Sequence, residues 1–316
     1  MKFNSLEKSI LRTIVFFDLL NYPLTSTEVW RWLYRPAVPT QERTLGKVAD
    51  ALEHSEALSN HIGRVEGFYH LKGRESIVPE RKRRNNRVDH QMRKTVRMTK
   101  LLRCVPWVRM IAAYSSLAIG NVKETSDIDL LIVARKNTIW LTRFFTVGIL
   151  KILRKRPDAR TTQDRFCLSF FITDDALNVE RGAFGADDIG YQYYMLILLP
   201  IYDPDKLLPK FRRANPWLAQ TFPNSPEADT FTFPVARPVW LLALHRSIDI
   251  ITWPFFNGIF SDWYCNMQLR ILPEKLKSIA NIDSRVIISD TMLKFHDKDT
   301  RHELRKKWLE KCASYE

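Results

Sequence analysis

The chain has 316 residues, room for two or three modest domains, and its 45% hydrophobic content excludes a disordered protein. Lys and Arg number 49 against 35 Asp and Glu, a net charge of +14 that favours a polyanionic partner, nucleic acid foremost. Cys104, Cys167, Cys265 and Cys312 lie far apart and form no Cys-x-x-Cys, so neither a zinc site nor a disulfide framework is indicated.

Residues 6–20 place Leu6, Ile10, Leu11, Ile14, Val15 and Phe17 on a helical stripe. Asn21-Tyr22-Pro23-Leu24 breaks it, and Thr25-Ser26-Thr27-Glu28 reads as an N-cap opening a second helix through Trp30 and Leu33. A third helix fits residues 44–56, and the stretch to residue 71 reads as two short strands around a turn. Three helices and a small hairpin are the layout of a winged helix-turn-helix, expected over residues 1–75. Glu42, Asp50, Glu53 and Glu56 make the third helix and its approach acidic, which weighs against direct reading of duplex DNA.

Residues 76–105 form a basic connector. Arg83, Arg84, Arg87, Arg93, Lys94 and Arg97 face few acids, while Val88, Met92, Val96 and Leu102 mark an apolar side. A long amphipathic helix follows, its basic face either tracking the phosphates of RNA or DNA or simply solvated.

The stretch 112–134, AAYSSLAIGNVKETSDIDLLIVA, organises the rest. Asp127 and Asp129 stand two apart at the start of an apolar run, so on a strand both carboxylates project from one face. Two such charges side by side are unfavourable unless a cation sits between them, and hard divalent cations take oxygen ligands. Upstream, Tyr114-Ser115-Ser116-Leu117-Ala118 is a small-residue turn whose N–H groups and hydroxyls suit a phosphate. No Gly-x-x-x-x-Gly-Lys-Ser/Thr run is present, which argues against a P-loop enzyme.

An apolar strand, a small-residue turn at Ser115-Ser116, Gly120, and Asp127-x-Asp129 at the head of a second strand resemble the polymerase β-like nucleotidyltransferase superfamily. The resemblance covers residues 108–173. It implies an α+β fold in which a small mixed β-sheet nucleotidyltransferase core, residues 106–205, is flanked by helices. It also implies Mg²⁺ or Mn²⁺ held by Asp127 and Asp129, with Ser115 and Ser116 gripping the phosphates of an NTP. An NMP would then pass to a hydroxyl of an acceptor, with RNA favoured, then protein. The chain departs from the pattern twice. Ser115 stands where the turn usually has Gly, a poor substitution if the position needs φ > 0. The superfamily often has a third carboxylate on the next strand, here residues 165–173, whose middle is Leu168-Ser169-Phe170. Asp164 before it and Asp174 after it are the candidates. The rival expectation is a non-catalytic winged-helix regulator that senses nucleotide or binds nucleic acid through a degenerate domain.

Residues 206–316 read as a proline-rich linker and a helical region, with helices at 240–253, 263–272 and 302–312 and an extended piece at 284–290. The resemblance implies that this region walls a cleft, with His245, Arg246, Gln268, Arg270 and Lys294 as lining candidates. Glu7 and Lys8 interrupt the first apolar residues and no small-residue cleavage site follows, while the most apolar late segment, 239–260, contains His245, Arg246, Asp249 and Pro254. No membrane partner and a cytoplasmic location are expected.

Overall fold

Capping chemistry starts the first two helices. Asn4 and Glu7 cap each other's backbone at α1 (Ser5–Leu19), and Thr25 and Glu28 do the same at α2 (Ser26–Arg31). Helix α3 (Leu45–His54) and the single turn α4 (Glu56–Ser59) lead into the antiparallel pair β1 (Ile62–Val65) and β2 (Phe68–Leu71). Glu66 and Gly67 join the two strands, both at positive φ as a tight hairpin turn requires. The structure is a computed structural model, and it describes residues 2–158, 161–225, 235–256, 259–296 and 299–315.

Helix α5 (Ile77–Leu102) is the long basic helix of the sequence reading. The chain then runs through β3 (Val108–Ala113), α6 (Ser115–Ile119), β4 (Ile128–Ala134), α7 (Ile139–Ile152) and β5 (Phe166–Thr173). Strands β3 and β4 are antiparallel, whereas β4 and β5 are parallel. A parallel pair cannot close through a tight turn, and α7 is the crossover. Helix α8 (Ile189–Leu196) is capped by Asp188, as the acids before it suggest. Beyond it lie β6 (Leu199–Tyr202), α9 (Leu207–Ala214), α10 (Pro216–Thr221), α11 (Val239–Phe256), α12 (Ile259–Ile271) and α13 (Glu274–Ser278). Strands β7 (Val286–Ile288) and β8 (Met292–Phe295) precede the final helix α14 (Arg301–Ala313).

The result is a six-stranded mixed sheet of order β6-β3-β4-β5-β8-β7, flanked by helices. Helices α11, α12 and α14 lie where the helical C-terminal region was expected, but the same region also adds two strands to the sheet. Phe170 of β5 pairs with Lys294 of β8, so residues 286–295 complete the central sheet.

Alternation along the strands gives the sheet two buried faces. Met110, Leu131, Val133, Phe170 and Ile172 join the N-terminal helices in one core, while Ile111, Leu130, Ile132 and Phe171 pack in a second core with residues of α5 and α7. The N-terminal elements are therefore bonded into the sheet layer. The ring of Tyr193 on α8 stacks on Phe16 at 4.4 Å between centroids, and its hydroxyl donates to Trp32 O at 2.9 Å. Trp308 Nε1 of α14 donates to Arg12 O at 3.0 Å. Behind this core Arg301 pairs with Asp188 and Asp299, whose side chains are 0% and 2% exposed. No helix among the described residues is long and apolar enough to cross a membrane.

Candidate active site

Asp129 is the second residue of β4, and Asp127 immediately precedes the strand. Tyr114 N–H donates to Asp129 O at 3.2 Å, which fixes the start of α6 beside the carboxylates. Gly120 ends α6 in the left-handed conformation at φ 81°. Ser115 adopts φ 60°, the conformation for which glycine is suited, and its hydroxyl bonds the Asp129 carboxyl. Replacing Ser115 with Gly removes that strain. The Ser115→Gly variant is expected to gain roughly 0.5–1 kcal/mol in urea unfolding, less what the lost hydroxyl contributes; a loss of stability would contradict the strain.

The third member of the cluster comes from an irregularity. Asp129 pairs with Cys167 and Leu131 pairs with Phe170, so β5 inserts one extra residue against β4. Such a bulge re-aims side chains. Carboxylate oxygens of Asp127 and Asp129 and the sulfur of Cys167 all lie within 4.8 Å of one another.

Burial first, and the Asp127 charge second, push the Asp129 carboxyl up to about 7. Burial raises Asp127 as well. Burial, then the neighbouring Asp129, push the Cys167 thiol up to about 12, so it carries its proton at neutral pH. Two carboxylates that resist joint ionisation fit a hard divalent cation such as Mg²⁺ or Mn²⁺. A protonated, soft thiol is a poor third ligand for Mg²⁺.

Two cavities open on the cluster. One of about 140 Å³ is lined by Ser115, Asp129, Tyr194, Lys294 and His296. Burial, then Arg301, lower the Lys294 ammonium to about 7, and it donates to Gly182 O and Ser284 O. The other, about 430 Å³, is lined by Cys167 and Ser169 together with Arg143, Lys151, Arg156 and Phe144. Between them Tyr114 Oη, Ser169 Oγ and His296 Nε2 lie 3.1–3.2 Å from one another. Gln268 is buried and ties α12 to α7 through Trp140 O at 2.6 Å.

The other sequence candidates are dispersed. Ser116 is half-buried on α6 and lines neither cavity. Asp164 binds Lys94 Nζ at 2.6 Å and Gln91 Nε2 at 3.1 Å, with His90 at 3.7 Å, so its carboxylate is held by α5. Asp174 lies just past the far end of β5, seven residues from Cys167 or roughly 23 Å along an extended strand. It accepts from Lys136 N–H at 2.8 Å and cannot reach the cluster. Neither acid is a third carboxylate of this site. Cys167 occupies the place beside Asp129, a residue the sequence reading passed over because unbroken alternation was assumed.

Of the six cations assigned to nucleic acid, Arg84 is withdrawn from the surface. It is 4% exposed and bonds Glu80 and Asn121. Arg87 pairs with Glu124, while Arg83, Arg93 and Arg97 are exposed and Lys94 is half-buried.

Compared with protein-family models, with curated proteins and with solved structures, the chain matches none of them.

Proposed function

We propose that this protein is a metal-dependent nucleotidyltransferase that moves an NMP from an NTP to a hydroxyl, with RNA the favoured acceptor and protein the next. The observation that carries this reading is the convergence of Asp127, Asp129 and the Ser115 turn, with Cys167 joining them to a neighbouring cavity of about 430 Å³, within the range of small-molecule pockets. Asp127 and Asp129 would hold Mg²⁺ or Mn²⁺. Bound there, the cation neutralises triphosphate charge and stabilises the charge developing at the α-phosphoryl group. The Ser115 turn lies beside the carboxylates, and Arg143, Lys151 and Arg156 line the larger cavity with positive charge. The acceptor oxygen bonds the α-phosphorus, the α–β bridge breaks, and pyrophosphate leaves with the electron pair of that bond. The acceptor proton passes to solvent.

Cys167 limits the last of these events. A thiol that holds its proton to about 12 is no general base at neutral pH. Supplying a carboxylate at that place, Cys167→Asp, is expected to raise Mg²⁺-dependent transfer by about tenfold or more. An unchanged rate would remove position 167 from the reaction.

The same residue favours a second reading, a regulator that binds nucleotide without turnover. The N-terminal helices and the β1–β2 hairpin support a winged-helix reading, but the outer face of α3 exposes Asp50 and Glu53, so we assign it no duplex reading. The deciding test supplies each α-labelled NTP with Mg²⁺ to the wild type and to Asp127→Ala/Asp129→Ala, with total RNA and protein extract as acceptors. Label transferred only by the wild type supports the enzyme. Nucleotide binding without transfer supports the regulator.

A further inference from the structure

The basic helix is not uniform along its length. In its first half Arg81 is paired with Glu28, Arg84 with Glu80 and Arg87 with Glu124. In its second half Lys94 and Arg97 face an open cleft of about 530 Å³, whose opposite side carries Lys155 and Arg165. Four cations meet one carboxylate there, Asp164, and that carboxylate is taken up by Lys94. Arg97 and Lys155 make no ion pair among the described residues.

The cleft is also apolar. Its floor is Leu101, 48% exposed, over the buried Met98 and Phe166. Cations that follow a phosphate backbone combined with an apolar platform suit unpaired bases, because a duplex keeps its base faces stacked inside. The position is equally specific. Asp164 N–H donates to Ser126 O at 3.1 Å, and Ile128 N–H donates to Arg165 O at 2.7 Å. The wall of the cleft is thus bonded to the residues on either side of Asp127.

We propose that this cleft binds single-stranded nucleic acid and delivers the end of the strand to the Asp127–Asp129 cluster. Strand binding stands on the cleft alone; the strand's role as acceptor rests on the transferase reading. Phosphodiesters lie against Arg97, Lys155 and Arg165 while bases lie on Leu101.

Fluorescence anisotropy of labelled oligo(U), oligo(dT) and a hairpin duplex tests this with the full chain, in the wild type, in Arg97→Glu/Lys155→Glu and in the control Lys306→Glu on α14. Thermal melting first establishes that the variants fold. The cleft variant is expected to bind single strands roughly tenfold or more weakly, with a salt slope reduced by about two. Lys306→Glu is expected to bind as the wild type does. The tighter of oligo(U) and oligo(dT) names the strand. Equal weakening by both variants, or a duplex that binds as tightly as a single strand, overturns the proposal. The two readings fail separately. Strand binding without NMP transfer leaves the cleft standing and removes the transferase. Transfer and binding both undisturbed in Arg97→Glu/Lys155→Glu leave the transferase and remove the cleft.

Discussion

Asp129→Asn is expected to make the protein more stable at pH 8 while abolishing any stabilisation by Mg²⁺. The folded-state value of about 7 lies above the usual 3.8, so the folded protein holds a proton that the unfolded chain releases. Stability then falls as pH rises from about 4 to about 7 and levels off above that window. A shift of one pKa unit corresponds to about 1.4 kcal/mol, and a half-buried, partly solvated carboxyl keeps only part of the total, so a gain of ~2–4 kcal/mol is expected for the variant. Urea unfolding at pH 5 and pH 8 checks it. The difference between wild type and Asp129→Asn should widen with pH, and adding Mg²⁺ should close it from the wild-type side. A wild type more stable than the variant at pH 8 without metal would show that the carboxylate pair is not in opposition.

Arg301→Ala is expected to have the largest destabilising effect of any single surface-charge removal, because Arg301 is hardly on the surface. Its side chain is 10% exposed, and its guanidinium is shared between Asp188 and Asp299. Nε donates to both Asp299 oxygens at 2.9 Å, and Nη1 donates to Gly182 O at 3.0 Å. Removing it leaves two buried carboxylates without their cation, which costs about 3–5 kcal/mol. The stranded acids regain stability by protonation, so the loss should be greater at pH 8 than at pH 5. Because Arg301 also lines the cavity that holds Ser115 and Asp129, loosening of that wall should accompany it. A loss under about 1 kcal/mol at pH 8 would mean that solvent already reaches the cluster.

What could be read in the sequence was local. The Thr25–Glu28 box, the amphipathic run of α5, the Asp127–Asp129 pair ahead of β4 and the Asp188 cap of α8 all depend on residues within a few positions of one another. What escaped depends on contacts distant along the chain. Strand β8 is four residues long and carries no alternation of its own; its pairing with β5, and that of β7 with β8, place the extended piece expected at 284–290 in the central sheet. The bulge that brings Cys167 to Asp129 is a property of register between two strands. Composition marked α5 as basic but could not tell that Arg84 is buried against Asn121 while Arg97 is exposed beside an open cleft. Likewise the N-terminal helices were expected as a separate domain over residues 1–75. The stacking of Phe16 on Tyr193 joins them instead to the face of the sheet, through aromatic pairs nearly 180 residues apart.

The most direct test of the central claim, that Asp127 and Asp129 hold a metal-bound nucleotide, is calorimetric titration with a non-hydrolysable NTP in the presence and absence of Mg²⁺. The account expects binding by the wild type that requires Mg²⁺ and weakens by about tenfold or more in Asp127→Ala/Asp129→Ala. Binding that is equally strong without Mg²⁺ and in the double variant would contradict it, since the nucleotide would then be held without the carboxylate pair.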